Sequence, residues 1–278
     1  MSSRWSAAGG RYALTQGELR FEVDPRLGGR ITSWRLGALD VLAGPEVHRA
    51  NWGSTLWTSP QSDWGWPPPA EFDDVEYVAT LTEDVLTVDG PASPALGLAL
   101  SKRFSPHASG KAIVLEYLIH NRGDRPRAVA PWEISRVRAK GLSFYPKGAS
   151  RSGSLLVEEH DGVVWYLHDP SVLGDPGKKH FADGTGGYVA HVAGELLFIK
   201  SFKDIGPEAQ APGEGEIEIY ANDRYVEVEV QGPLTSLDPG ASLSWTVMWQ
   251  LCRLPASLHV TPGALASLAA SLAKVSSA

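Results

Sequence analysis

The chain has 278 residues, of which 43% are hydrophobic and 21% charged, and its formal net charge is −7. This composition is typical of a globular protein, and the acidic charge argues against a nucleic-acid polyanion or an anionic membrane surface as partner. The single cysteine, Cys252, excludes an intrachain disulfide and a zinc site built on thiolates. The sequence has no apolar run typical of a signal peptide or a membrane span, so we expect a soluble cytoplasmic protein.

Alternation of apolar and polar residues predicts strands along most of the chain. The runs hold about 4–8 residues rich in Val, Ile, Tyr and Trp, and they end at Gly, Pro, Asn or Asp. In chain order they lie within residues 19–24, 75–90, 112–121, 163–168, 187–192, 195–202, 216–221, 224–232 and 242–251. Longer loops are predicted at 43–72, 140–155, 169–187 and 204–214. Residues 261–278 show helical spacing, with Pro262 suited to a first helical turn.

Strands that follow one another without intervening helices predict antiparallel sheets stacked as a sandwich. We therefore expect an all-β fold with a short C-terminal helix. No linker or change of composition interrupts residues 10–258. Residues 1–278 are thus expected to form one domain, with the core in about 10–258 and a helical tail in 259–278.

The segment Asn51–Glu71, NWGSTLWTSPQSDWGWPPPAE, concentrates indole rings in a predicted loop. Its consecutive prolines disfavour a helix interior or a central strand. Indole rings stack on the apolar face of a pyranose, and planar polar side chains bind its hydroxyls. The alternative is that the rings only pack the loop against the sandwich. As a binding segment it predicts one wall of a sugar cleft, with the candidate contacts Asn51, Trp57, Gln61, Trp64 and Trp66.

The strand YVEVEVQGP, residues 225–233, carries a second site signal. Glu227, Glu229 and Gln231 share one face, because side chains alternate along a strand, and the valines between them share the other. Three polar residues on one face are usually exposed to water. If the valine face fills the core, however, the polar face lines a concave cleft, where a partly desolvated carboxylate could act as general base.

Several motifs in order resemble those of the galactose mutarotase-like, or aldose 1-epimerase-like, proteins. They are DPRLGGRITSWRLGALDVL at 24–42, LEYLIHNRGDRPRAVAPWEISRV at 115–137 and EVQGP at 229–233. The resemblance spans most of residues 18–255. More narrowly, WTSPQSDWGWPPP at 57–69, APWEISRV at 130–137 and VEVEVQGPLTSLDPGASLSWTV at 226–247 together resemble an uncharacterised bacterial branch of that superfamily. The resemblance implies a β-supersandwich with a ligand cleft on its concave face. It also implies that Glu229 is the general base on the anomeric hydroxyl, with Gln231 beside it.

The resemblance fails at the general acid, which in that family is a histidine in the strand after the N-x-G-D turn. Here the corresponding run is Pro131-Trp132-Glu133-Ile134-Ser135. Substitute acids are Glu133, His180 and Lys200, with Glu133 favoured because Trp132 and Arg136 suggest a polar aromatic environment. Each of the three could equally be a structural residue.

Three classes of function stay open on this reading. The first is a mutarotase-like aldose epimerase or isomerase that uses Glu229. The second is a carbohydrate-binding protein without turnover. The third is a glycoside hydrolase or lyase in which Glu133 and Glu229 face each other across the sugar.

The expected partner is a small sugar or the end of an oligosaccharide, with no nucleic acid and no membrane. Besides the residues of the tryptophan-rich segment, its candidate contacts are Trp132, Arg136, Lys200, Glu227 and Gln231. The sequence contains no phosphate-binding loop, dinucleotide fingerprint or metal-binding histidine pair, so we expect no cofactor and assign no metal ligand. Whether a metal is used stays open. The sequence also leaves both a monomer and a homodimer open.

Overall fold

The structure is a computed structural model that describes residues 4–259 and 261–276. The described strands up to residue 138 are β1 (Arg4–Ala8), β2 (Arg11–Gln16), β3 (Leu19–Asp24), β4 (Arg30–Leu36), β5 (Leu39–Asp40), β6 (Ser54–Ser59), β7 (Val78–Thr82), β8 (Val85–Asp89), β9 (Leu98–Pro106), β10 (Ala112–Asn121) and β11 (Arg127–Arg138). Those that follow are β12 (Leu142–Gly153), β13 (Glu158–His160), β14 (Val163–Leu167), β15 (Lys178–Gly184), β16 (Tyr188–Ala193), β17 (Leu196–Phe202), β18 (Ile217–Ala221), β19 (Tyr225–Gln231), β20 (Thr235–Leu237) and β21 (Ser242–Arg253). The α-helices are α1 (Ala70–Asp73) and α2 (Pro262–Ser276).

The strands pair antiparallel in two large sheets that share β12. The front sheet runs in the order β1, β2, β3, β4, β6, β11, β19, β18, β15 and the C-terminal half of β12. The back sheet runs in the order β7, β8, β9, β10, β21, β17, β16, the N-terminal half of β12, β14 and β13. The predicted all-β fold with antiparallel sheets is confirmed.

The main core lies between the two sheets. The three valines of β19, Val226, Val228 and Val230, are fully buried on the inner face of the front sheet. Trp249 of β21 belongs to the same core, with its ring edge-on to Phe21 of β3. The alternation of β19 therefore has the predicted sense, since its apolar face fills the core and its polar face points outward.

Helix α2 packs on a smaller core at one end of the back sheet. Its buried residues Leu265 and Ala269 contact a cluster that includes Phe144, Trp165 and Leu197. The predicted C-terminal helix is confirmed. Among the described residues, no helix is both long enough and apolar enough to cross a membrane.

Three predicted loops contain strands. Residues 54–59, 142–153 and 178–184 form β6, β12 and β15, each inside a segment expected to be irregular. The loop prediction for these residues was wrong because the strands carry Ser, Thr, Gly or charged residues in place of a regular apolar alternation. Pairing with β11, β18 and the back sheet supplies the hydrogen bonds that local propensity does not.

Candidate functional site

A cleft of about 510 Å³ opens on the outer face of the front sheet. Its floor consists of β6, β11, β19, β18 and β15, and three loops and the turn between β18 and β19 form its rim. Directly paired residues of an antiparallel sheet share a face, so this floor brings distant parts of the chain together. The lining residues are His48, Asn51, Trp57, Gln61, Trp66, Trp132, Asp175, Pro176, Lys179, Tyr220, Asn222, Arg224, Tyr225 and Glu227.

Four indole rings form a cluster at one end of the cleft. Trp57 is at its centre, with ring centroids 5.7 Å from Trp64, 5.9 Å from Trp66 and 5.5 Å from Trp132. Trp57 and Trp132 are buried and directly paired between β6 and β11, whereas Trp66 is 60% exposed. The cluster thus has a fixed base in the sheet and one ring that is open to a ligand.

The segment that carries Trp64 and Trp66 is held by contacts within itself and to the loop before β18. A 3-10 turn at Gln61–Asp63 follows Pro60, and the backbone N–H of Gln61 donates to Glu214 at 2.9 Å. The Trp64 indole N–H donates to the carbonyl of Thr58 at 2.8 Å. Trp64 therefore supports the wall, and it does not line the cleft itself.

Three glutamates lie on the cleft side of the front sheet. Glu229 is directly paired with Glu218 of β18 across the ladder, and Glu227 is paired with Tyr220. The Trp132 indole N–H donates to Glu229 Oε2 at 2.7 Å. Glu229 is fully buried beneath the cleft surface, and Glu227 is the member of this group that lines the cleft.

Lys179 of β15 joins two of these carboxylates. Its Nζ lies 2.6 Å from Glu218 Oε2 and 3.1 Å from Glu229 Oε2, and 4.5 Å from the centroid of the Trp132 ring. Burial disfavours the ammonium, but the attraction of Glu229 and Glu218 is stronger and raises the Lys179 pKa well above its usual value. Burial and the nearby Glu229 raise the pKa of Glu218, against the opposing effect of Lys179. Lys179 therefore stays protonated, and its side chain lies between Glu229 and the cleft.

Arg136 of β11 holds the third carboxylate. Its Nε donates to Glu227 Oε1 at 2.8 Å and its Nη1 to Thr55 Oγ1 at 2.8 Å, and the guanidinium carbon lies 4.9 Å from the centroid of the Trp57 ring. Burial raises the Glu227 pKa, partly offset by Arg136. Among the described residues, no group of three or more His, Cys, Asp or Glu side chains is arranged to hold a metal ion.

Glu133 does not face Glu229, which corrects the two-carboxylate arrangement. Glu133 is paired with Val230 of β19, so its side chain points into the core, one residue away from the cleft-facing Trp132. There its Oε1 lies 2.7 Å from Lys200 Nζ and accepts the Trp249 indole N–H at 3.0 Å. The alternation of β11 therefore separates the two glutamates by the thickness of the sheet.

His180 and Lys200 also lie outside the cleft. His180 is paired with the core residue Ile219 and contacts the Tyr145 hydroxyl at 2.7 Å through Nε2. Burial lowers the His180 pKa to about 4. Lys200 belongs to β17 of the back sheet. None of the three residues expected to replace the family acid therefore reaches the ligand side.

The substrate contacts expected from the sequence divide into two groups. Those that line the cleft are Asn51, Trp57, Gln61, Trp66, Trp132 and Glu227. Trp64, Arg136 and Gln231 lie behind this surface. Gln231 is buried and donates from Nε2 to Glu218 Oε1 at 2.8 Å.

Sequence reasoning missed several cleft residues. They are His48 in the loop before β6, Asp175 and Pro176 before β15, Lys179 on β15, and Tyr220, Asn222, Arg224 and Tyr225 on the β18–β19 hairpin. Lys179 was hidden because its strand was taken for a loop. The two strands of the hairpin were predicted, at 216–221 and 224–232, and in the turn between them Asn222 Oδ1 accepts the backbone N–H groups of Arg224 and Tyr225 at 2.9 Å. The hairpin register pairs Tyr220 with Glu227, so the two side chains share a face. This pairing was the available sequence signal that Tyr220 also lies at the cleft.

Solved structures with the same fold include proteins described as mutarotase-related. A galactose mutarotase-like protein from Lactobacillus casei matches with a TM-score of 0.62 at 8% identity, covering 87% of this chain and 100% of its own. A galactose mutarotase related enzyme from Lactobacillus acidophilus matches with a TM-score of 0.62 at 9% identity, covering 87% and 97%. At such identities the similarity shows the fold, a β-supersandwich of the galactose mutarotase-like type, and no more.

A TPR-domain containing protein from Parabacteroides distasonis also matches, with a TM-score of 0.63 at 14% identity. The match covers 91% of this chain but 50% of that protein, so this chain spans half its length. No family model matches the sequence, and no curated protein matches it.

Proposed function

We propose that this chain binds a sugar in the cleft of the front sheet. The proposal rests on one observation: indole rings and amide, carboxylate and phenol side chains line the same cavity. Trp57, Trp66 and Trp132 supply apolar ring surface, and Asn51 and Glu227 are among the polar groups around it. A pyranose needs both kinds of surface, because its faces carry C–H groups and its edge carries hydroxyls.

The size and charge of the cleft suit a neutral sugar. Its volume of about 510 Å³ lies within the roughly 300–1,000 Å³ that is usual for small-molecule sites. The two cations of the floor, Lys179 and Arg136, are already paired with carboxylates. An anionic sugar would therefore meet no unpaired cation on the floor, and Arg224, which is only weakly paired with Asp223, lies on the rim. The charge of the floor supports a neutral monosaccharide or oligosaccharide end as the ligand.

Trp66→Ala is expected to weaken sugar binding about 5- to 30-fold, which corresponds to the loss of about 1–2 kcal/mol of stacking. The free energy of unfolding should change little, because the ring is 60% exposed. Isothermal titration with D-glucose and D-galactose measures the first quantity and urea denaturation the second. The matched control is Trp5→Ala, on β1, whose indole N–H donates to Asp84. Equal sugar affinity of Trp66→Ala and wild type would contradict the prediction that the sugar stacks on Trp66.

A second candidate function is aldose 1-epimerase chemistry with Glu229 as general base. It is supported by the position of Glu229 on the ligand side of β19 and by its Oε1, which has no hydrogen-bond partner among the described residues. The likeness to proteins described as mutarotase-related supports the same reading. Against it stands the burial of Glu229 under Lys179 and Trp132, so the sugar would have to displace the lysine.

Anomeric exchange by NMR separates the epimerase from the binding protein. If Glu229 is the base, wild type accelerates exchange of D-glucose or D-galactose, and Glu229→Gln loses about 10²–10⁴-fold of that acceleration while sugar still binds. Glu227→Gln tests the carboxylate that lines the cleft. Wild type that binds sugar without accelerating exchange would leave binding as the function and remove the epimerase.

A further inference from the structure

His48 lies in a loop that is firmly attached to the front sheet. The backbone N–H of Ala43 donates to the Arg136 carbonyl at 2.8 Å, and that of Gly53 donates to the Ala43 carbonyl at 2.8 Å. Arg30 Nη1 donates to the carbonyls of Ala50 and Trp52 at 2.9 and 2.7 Å. The loop is therefore held on both sides of His48, which places the imidazole reproducibly at the cleft.

The hydrogen bonds of the ring determine its tautomer. His48 Nδ1 accepts the backbone N–H of Asn51 at 2.9 Å and that of Ala50 at 3.3 Å. A proton on Nδ1 would point at these two N–H groups, so the neutral ring must carry its proton on Nε2. The ring is further positioned edge-on to Tyr225, at a centroid distance of 5.7 Å.

The surroundings of the ring favour this neutral form. Burial lowers the His48 pKa first, followed by the positive charges of Arg224 on the β18–β19 turn and Arg136 on β11, while Asp175 opposes them. Tyr225 on β19 is the other titratable group in contact with the ring. His48 is therefore a single N–H donor at neutral pH.

Two of the other donors at the cleft are already committed. Asn51 Nδ2 donates to the Tyr225 hydroxyl at 2.8 Å, and Lys179 is shared between two carboxylates. Arg224 is half-exposed, and its Nε lies 3.9 Å from Asp223 Oδ1, beyond hydrogen-bond distance. The Nε2–H of His48 has no partner among the hydrogen bonds of the described residues.

A bound pyranose requires such a donor. Its hydroxyls can donate or accept, but its ring oxygen only accepts, and the carboxylates of the cleft cannot bind an acceptor. We propose that His48 is a ligand-binding residue whose Nε2–H donates a hydrogen bond to an oxygen of the bound sugar, best the ring oxygen. This inference rests on the proposed sugar-binding function and names a residue that the sequence did not single out.

Two substitutions separate the donor from the loop contacts. His48→Asn keeps an acceptor at the position of Nδ1 for the two backbone N–H groups but removes the Nε2 donor. His48→Gln keeps an amide donor near Nε2 and loses the Nδ1 acceptor. We expect His48→Asn to bind D-glucose or D-galactose about three- to tenfold more weakly than wild type, and His48→Gln to retain more of the affinity.

The control is His107→Gln, because His107 Nδ1 also accepts a backbone N–H, that of Ser109 at 3.3 Å, but the residue is half-exposed and does not line the cleft. Nitrogen-15 NMR of the histidine rings at pH 7 gives an independent readout. We expect the Nε2-protonated tautomer for His48 and a shift of its Nε2 resonance when sugar is added.

The outcomes distinguish this inference from the function on which it rests. Sugar binding by wild type together with undiminished binding by His48→Asn would overturn the role of His48 and leave the function standing. The Nδ1-protonated tautomer would overturn it as well. No binding of either sugar by wild type would overturn the proposed function and the ligand role of His48 together.

Discussion

Lys200→Met is expected to lower the free energy of unfolding by about 3–5 kcal/mol, because it leaves the fully buried carboxylate of Glu133 without its cation. Lys200 Nζ also donates to the carbonyl of Val228 at 2.6 Å, a bond that methionine cannot replace. Sugar affinity should be unchanged in the folded variant, because both side chains point into the core. Urea denaturation and calorimetric titration measure these two quantities.

The double variant Glu133→Gln, Lys200→Met is the control for this experiment. Glutamine keeps an acceptor for the Trp249 indole N–H and removes the unpaired charge, so the double variant should recover much of the lost stability. A double variant as unstable as Lys200→Met would show that the loss comes from packing. A loss of sugar binding in Glu133→Gln alone would contradict the assignment of Glu133 to the core.

The second large effect concerns Glu216, which is fully buried at the start of β18. Its carboxylate accepts the backbone N–H of Ile205 at 2.7 Å and of Gly184 at 3.2 Å, with Asp204 and Asp183 nearby. Burial raises the pKa of Glu216 to about 8, against the opposing effect of the Ile205 N–H. The folded chain therefore holds this proton more tightly than the unfolded chain, in which the pKa is about 4.3.

The sign of the pH dependence follows from this difference. The contribution of Glu216 to stability is complete below about pH 4.3 and is lost as the pH rises toward 8, by on the order of 3–5 kcal/mol. Glu216→Gln cannot ionise, so the difference in free energy of unfolding between wild type and variant should change by that amount between pH 5 and 8.5. Urea denaturation across this range measures it.

Glu208→Gln is the matched control, because Glu208 is an exposed residue of the same loop region. It accounts for the general effect of removing one carboxyl group from this region. A pH-independent difference for Glu216→Gln would mean that Glu216 is ionised in the folded chain throughout this range. Loss of a backbone hydrogen bond to the glutamine would lower stability equally at every pH, and thus does not obscure the test.

Strand alternation allowed much of the site to be predicted from the sequence. The valine and glutamate faces of β19 were assigned correctly, because a period of two places Glu227, Glu229 and Gln231 on one side of any strand. The tryptophan-rich segment was placed at a cleft because its composition has no place in a helix or a central strand. Trp57 is nevertheless part of a strand, since pairing with β11 overrides the local preference.

The sequence could not indicate which polar groups would meet. Glu133 and Trp132 are adjacent in sequence, and only the packing of β11 between the core and the cleft decides that Trp132 reaches the ligand side while Glu133 binds Lys200. Likewise, the ion pairs of Lys179 join residues about 40 and 50 positions apart, and such long-range pairs leave no local signal.

By itself the sequence determined the all-β class, the C-terminal helix and the two segments that bound the cleft, because periodicity and composition are local properties. Only the tertiary structure decided which side chains line the cleft. His48 is half-exposed in an irregular loop, and its role follows from the backbone N–H groups that reach its Nδ1 and from the sheet that holds the loop. Those contacts depend on three-dimensional position, which no spacing along the chain encodes.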